Sequence, residues 1–169
     1  WTSVGLMGAT AAVAGQNLGA GRPERSAQAA RVASFIGLGM ASVIGTLLLL
    51  IPRQLLAIFG MTEGVVVEIG VQLLRYLAVS GLFITVALIY TGGLQGTGDT
   101  KSPLYISLIS QLVIPLGLCT VVQATRGLQP EDIWLAIVLG HITRCTLSVL
   151  RFRQGKWREI AVDIEPVRA

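Results

Sequence analysis

From Val32 to Ile51 the sequence runs VASFIGLGMASVIGTLLLLI, 20 residues without a charge. At about 1.5 Å rise per helical residue, such a run spans the roughly 30 Å hydrocarbon layer of a bilayer. Three further apolar stretches follow, Leu77 to Tyr90, Pro103 to Val122 and Ile133 to Leu150, separated by short polar turns. Between Val65 and Leu74 only Glu68, Gly70 and Gln72 interrupt the apolar run, which predicts one continuous helix over about 66–92. Trp1 to Gly15 is also apolar and has no basic region ahead of it, so it reads as the end of a span that starts upstream and not as a signal peptide. The predicted spans are 1–17, 28–51, 66–92, 103–123 and 132–151, the first truncated. They make residues 1–160 a single transmembrane unit, with 161–169 as a cytoplasmic tail. The fold class is all-α, a helical bundle embedded in the lipid bilayer.

Composition excludes several other classes. Apolar residues make up 53% and charged residues 13%, with a mean hydropathy of +0.71. A soluble domain carries about 25% charge. A net charge of +4 is compatible with nucleic-acid binding, but the basic residues cluster at span ends and form no stripe, so no nucleic-acid partner is expected. Cys119 and Cys145 both fall inside spans and read as packing groups. No Cys/His spacing suits a metal, and no cofactor is expected. A membrane-embedded enzyme would need clustered nucleophiles or acids at membrane depth, and one histidine without a carboxylate does not supply them.

Arg22, Arg25 and Arg31 follow the first stretch, Lys101 lies in the turn at 93–102, and Arg151, Arg153, Lys156 and Arg158 follow the last span. The alternate turns carry Arg53 and Arg126, with Glu63, Glu68, Arg75, Glu131 and Asp132 nearby. The positive-inside rule puts the first set, and hence the C-terminus, in the cytoplasm of a multi-pass protein of the inner (plasma) membrane. Trp134 and Trp157, at opposite ends of the last span, are expected in the two interfacial belts. Glu68 and Arg75 share a helical face and read as an interfacial pair.

Two cytoplasmic turns carry more pattern than a turn needs. The first is AGQNLGAGRPER, 14–25, containing Gln16, Asn17, Gly19 and Gly21. Both glycines permit a positive φ after the helix ends, and Pro23 suits the first turn of the next helix. The second is GGLQGTGDTKSP, 92–103, containing Gly96, Gly98, Asp99, Thr100 and Pro103. Here Asp99 or Thr100 is placed to accept from free backbone N–H groups at a helix start. It is not a phosphate-binding loop, because Thr100 rather than Gly precedes Lys101 and apolar helices flank the turn.

These two turns, together with the terminal RFRQGKW of residues 151–157, resemble in order and spacing the C-terminal lobe of the multidrug and toxic compound extrusion (MATE) transporters. The resemblance implies twelve helices in two six-helix lobes. This chain would then hold the end of the eighth helix and all of the ninth to twelfth. It also implies export of organic cations and other amphipathic compounds in antiport with sodium ions or protons, and a missing N-terminal lobe of the same chain as partner. No Asp or Glu occurs at membrane depth, so a coupling-ion site is expected outside this sequence. A related exporter of lipid-linked oligosaccharides or polysaccharide precursors is the alternative function; it would favour a more basic cavity.

Four residues are candidates for the transport pathway. Pro115 has no N–H for the Gln111 carbonyl, which predicts a kink, either a hinge or a packing feature. The Gln111 side chain is polar in mid-span and should face the bundle. His141 and Arg144 share a face of the last span. His141 lies too deep to snorkel and is either neutral and hydrogen-bonded or lining a wet cavity, whereas Arg144 either anchors at the interface or serves the pathway. Gly37, Gly39, Gly45 and Gly81 read as sites of close helix packing.

Overall fold

The computed structural model describes residues 1–62 and 64–160. Glu63 and the expected tail 161–169 lie outside the described residues. Among the described residues seven α-helices form a bundle: α1 (Thr2–Gly19), α2 (Pro23–Leu50), α3 (Pro52–Ile58), α4 (Gly64–Gly96), α5 (Lys101–Leu108), α6 (Ile114–Arg126) and α7 (Pro130–Arg153). A π-helical turn, Ile109–Val113, joins α5 to α6 into one 26-residue rod, and a 3₁₀ turn, Lys156–Glu159, follows α7. Four helices among these residues are long and apolar enough to cross a membrane: α2, α4, the α5–α6 rod and α7. Their outward faces present large apolar side chains such as Phe35, Val43, Leu104, Val113 and Leu116, as contact with lipid requires.

The longest helix, α4, organises the bundle, packing against α1 and α2 on one side and α7 on the other. Its 33 residues extend about 50 Å, so it tilts or reaches beyond the hydrocarbon layer. Glycines set its distance from α1. A Cβ on Gly92 would lie 2.2 Å from the Met7 carbonyl oxygen, one on Gly96 2.0 Å from that of Ala11, and one on Gly15 2.5 Å from that of Gly96. The two helices therefore touch backbone to backbone, the geometry that small residues four apart allow. Two hydrogen bonds tie α1 to its neighbours, Ser3 Oγ to Thr85 Oγ1 at 2.8 Å and Ser26 Oγ donating to the Ala14 carbonyl at 2.7 Å.

The other glycines divide. Gly37 abuts the Ile89 and Thr85 side chains and Gly45 the Ala78 backbone, but Gly39 and Gly81 face open space and do no close packing. Helix α3 was not anticipated. It is a short helix whose Leu56 turns inward onto Gly70 of α4. At this end Gln72 hydrogen-bonds Glu131, Arg126 pairs with Asp132, and Asp132 Oδ2 accepts the Gln129 N–H at 3.0 Å, capping α7. Glu68 and Arg75 do not pair with each other among the described residues; both border a small surface cavity with Arg53.

Candidate functional site

The α1–α2 turn, the α4–α5 turn and the segment after α7 meet at one end of the bundle, the basic end. The first two helices to finish there stop in the same way. After α1, Gly21 takes φ +71°, its N–H reaches the Leu18 carbonyl at 2.9 Å and the Arg22 N–H reaches Asn17 at 2.8 Å. After α4, Gly98 takes φ +90°, its N–H reaches Gln95 at 3.1 Å and the Asp99 N–H reaches Leu94 at 2.9 Å. Both are Schellman closures, which need a left-handed residue that glycine supplies without strain. Only one glycine of each expected pair plays that part. Gly19 and Gly96 are the last helical residues; Gly19 stands in open space, and Gly96 is instead the contact with α1.

Asp99 is the centre of this end. It is 5% exposed, and its Oδ1 accepts the Ser102 N–H at 3.1 Å, so Asp99 rather than Thr100 caps α5. Its Oδ2 accepts from Arg151 Nε and Nη2, each at 2.8 Å. Burial works against the charge of Asp99, but the hydrogen bonds from Ser102 and Arg151 and the positive charge of Arg151 outweigh it, holding the carboxyl below its ordinary value. Thr97, fully buried, returns its hydroxyl to the Gly93 and Leu94 carbonyls, and Pro103 is buried in the first turn of α5. Thr100 and Gln16 are exposed; Asn17 Nδ2 donates to Val13.

The terminal motif folds back over this end. The Trp157 indole N–H donates to the Phe152 carbonyl at 2.8 Å, and the two rings stack with centroids 4.9 Å apart. Phe152 meets Tyr90 edge-on and lies over Gly93, where a Cβ would come within 2.8 Å of the ring. Ala30 and Leu94 complete this cluster. Trp157 is 1% exposed, so it is a core residue and not part of an interfacial belt, because the chain reverses at Gly155 (φ +73°) and carries the indole inward. Trp134 at the other end is half-buried beside Tyr76.

At membrane depth the rod widens where Pro115 enters. The Ile114 N–H donates to Ile109, five residues back, and the wider turn relieves the clash of the proline ring with the Gln111 carbonyl. Helix α7 seats Gly140 against this turn, where a Cβ would meet the Ser110 carbonyl oxygen at 2.4 Å and the Pro115 ring at 3.2 Å. Arg144 and Ser148 continue that face of α7, and His141 adjoins it. Gln111 Nε2, His141 Nδ1, Arg144 Nε and Ser148 Oγ are all buried and have no hydrogen-bond partner among the described residues. Ser148 was not anticipated; its place on the Arg144 face, four residues on, was the available signal. Gln111, His141, Arg144 and Ser148 thus form a polar seam where α7 meets the broken rod, with Pro115 against Gly140.

Long apolar helices, closed at the basic end by paired glycine turns and including a broken rod, define an all-α multi-pass membrane protein. The MatE family model matches residues 1–121, and the chain belongs to that family. It is 27% identical over 94% of its length to the probable multidrug resistance protein NorM of Thermotoga maritima. It is 31% identical over 85% of its length to the protein of that name from Mannheimia succiniciproducens. It is 27% identical over 98% of its length to Protein DETOXIFICATION 22 of Arabidopsis thaliana. It covers 34%, 31% and 33% of these relatives, about a third of the length of each.

Proposed function

We propose that this chain forms most of the C-terminal lobe of a secondary transporter that exports amphipathic and cationic compounds in antiport with sodium ions or protons. The observation that carries the reading is the polar seam at the broken rod. Unpartnered N–H groups at membrane depth are costly in lipid and are tolerated where helices must bend or meet water during a transport cycle. That relatives are named probable multidrug resistance proteins supports drug export. In this reading Pro115 and the π turn are the hinge, and Gln111, His141 and Arg144 face the moving interface. The α1–α2 and α4–α5 turns, held by Gly96 and Asp99, close the cytoplasmic end, and the lobe works against a second lobe of the same chain.

The excess of Arg and Lys at the basic end supports a cytoplasmic placement of that end and of the C-terminus in the plasma membrane. The test is efflux of a fluorescent organic cation from vesicles holding the full-length protein, under an imposed sodium or proton gradient. Gradient-dependent efflux of the cation is expected. Its absence, with transport of a lipid-linked oligosaccharide in its place, would overturn the assignment. With the driving gradient clamped, His141→Gln should flatten the pH profile of export, since His141 is the one side chain of the seam able to change charge near neutral pH.

A further inference from the structure

A cavity of about 770 Å³ opens at the basic end, between the start of α2, the last turns of α4, the end of α7 and the 3₁₀ turn. Arginines from three separate elements border it, Arg31 of α2, Arg153 of α7 and Arg158 of the 3₁₀ turn. Two carboxylates border it as well. Glu24 is already engaged by Arg158 at 3.3 Å, and Glu159 is the other. Arg158 is fixed further by lying 5.4 Å from the centroid of the buried Trp157 ring. Tyr90 and Gln154 add neutral polar side chains to the lining, while Ala27, Val149 and Phe152 make an apolar floor.

The depth is that of a membrane interface. Tyr90 lies six residues, about 9 Å along the helix, from the end of α4 at Gly96. A net-positive rim of guanidinium groups above an apolar floor suits an amphipathic anion, and guanidinium forks match phosphate oxygens in particular. Basic pockets between transmembrane helices at this level attract acidic head groups.

We propose that this cavity binds a phosphate-bearing anion, supplied either by the head group of an acidic phospholipid or by free phosphate. The site is independent of the transport reading, and its failure would leave that reading untouched. The test uses the full-length protein in nanodiscs of phosphatidylcholine, with and without phosphatidylglycerol, and counts retained lipid by native mass spectrometry alongside the thermal unfolding midpoint. Phosphatidylglycerol should be retained and should raise the midpoint. R31Q/R153Q should weaken its binding by roughly 25-fold, taking about fivefold per arginine. R31K/R153K should keep most of the binding, and K101Q, which removes a charge elsewhere on the same end, should keep all of it. Inorganic phosphate added to phosphatidylcholine discs distinguishes the source: a matching rise, lost in R31Q/R153Q, assigns the site to free phosphate. Equal lipid retention in the parent and R31Q/R153Q, or no response of the parent to either anion, would overturn the proposal.

Discussion

Asp99 and Arg151, 52 residues apart in sequence, meet at 2.8 Å and join the α4–α5 turn to the last turn of α7. Both Arg151 contacts fall on one carboxylate oxygen, while the other oxygen caps α5 through Ser102. One buried carboxylate thus satisfies a helix start and holds two helices together.

Asp99→Asn keeps the cap acceptor and removes the charge, so it should cost about 2 kcal/mol, the worth of hydrogen bonds to a charged group. Asp99→Ala also loses the cap and should cost more. The sign of the pH dependence follows from the lowered pKa of Asp99. A depressed carboxylate contributes fully above its unfolded value near 3.8, and that contribution is lost as pH falls through the lower folded value. Thermal unfolding in detergent should therefore show an acid-side loss that Asp99→Asn flattens. Parallel acid limbs in parent and variant would contradict this.

Gly96→Ala should prevent close approach of α1 and α4, because the new Cβ meets a carbonyl oxygen that cannot swing aside. Gly19→Ala, facing open space in the last turn of α1, should be neutral or stabilise by up to about 1 kcal/mol through helix propensity. Comparing folded yield of the two variants by size-exclusion chromatography separates packing from propensity. Equal yields would show that α1 and α4 can part without consequence.

Pro115→Ala restores an N–H and removes the ring that the π turn accommodates, so the rod should revert toward regular α-helical bonding. Hydrogen exchange across Ile109–Val113 should slow in the variant, and cysteine labelling should show one facing state of the full-length protein favoured over the other. Gly140→Ala should be far more disruptive than Pro115→Ala, since its Cβ would strike the Ser110 carbonyl oxygen at 2.4 Å.

Trp157→Phe preserves a ring for the Phe152 stack and loses the bond to the Phe152 carbonyl, which predicts a loss of about 1 kcal/mol. Trp157→Ala empties a fully enclosed site and should cost about 3–5 kcal/mol. Chemical denaturation of the two variants gives both numbers. Near-parent stability of Trp157→Ala would return Trp157 to the surface role that its position after the last span suggested.

That the chain is helical and built for lipid was legible before any coordinates, because apolar length and the scarcity of charge within the spans are properties of each segment taken alone. Which turns share one end was equally legible, since charge alternates with each crossing, and so was the break near Pro115, since a missing N–H is a local defect. It took the packed bundle to show that Gly96 is a contact and Gly98 the turn, that Asp99 chooses Arg151, that Trp157 is core, and that Ser148 extends the seam of His141 and Arg144. Each of these depends on which faces of separate helices come together. Helical periodicity places a residue on a face of its own helix, but in a bundle apolar on nearly every side it does not say which face meets a neighbour and which meets lipid.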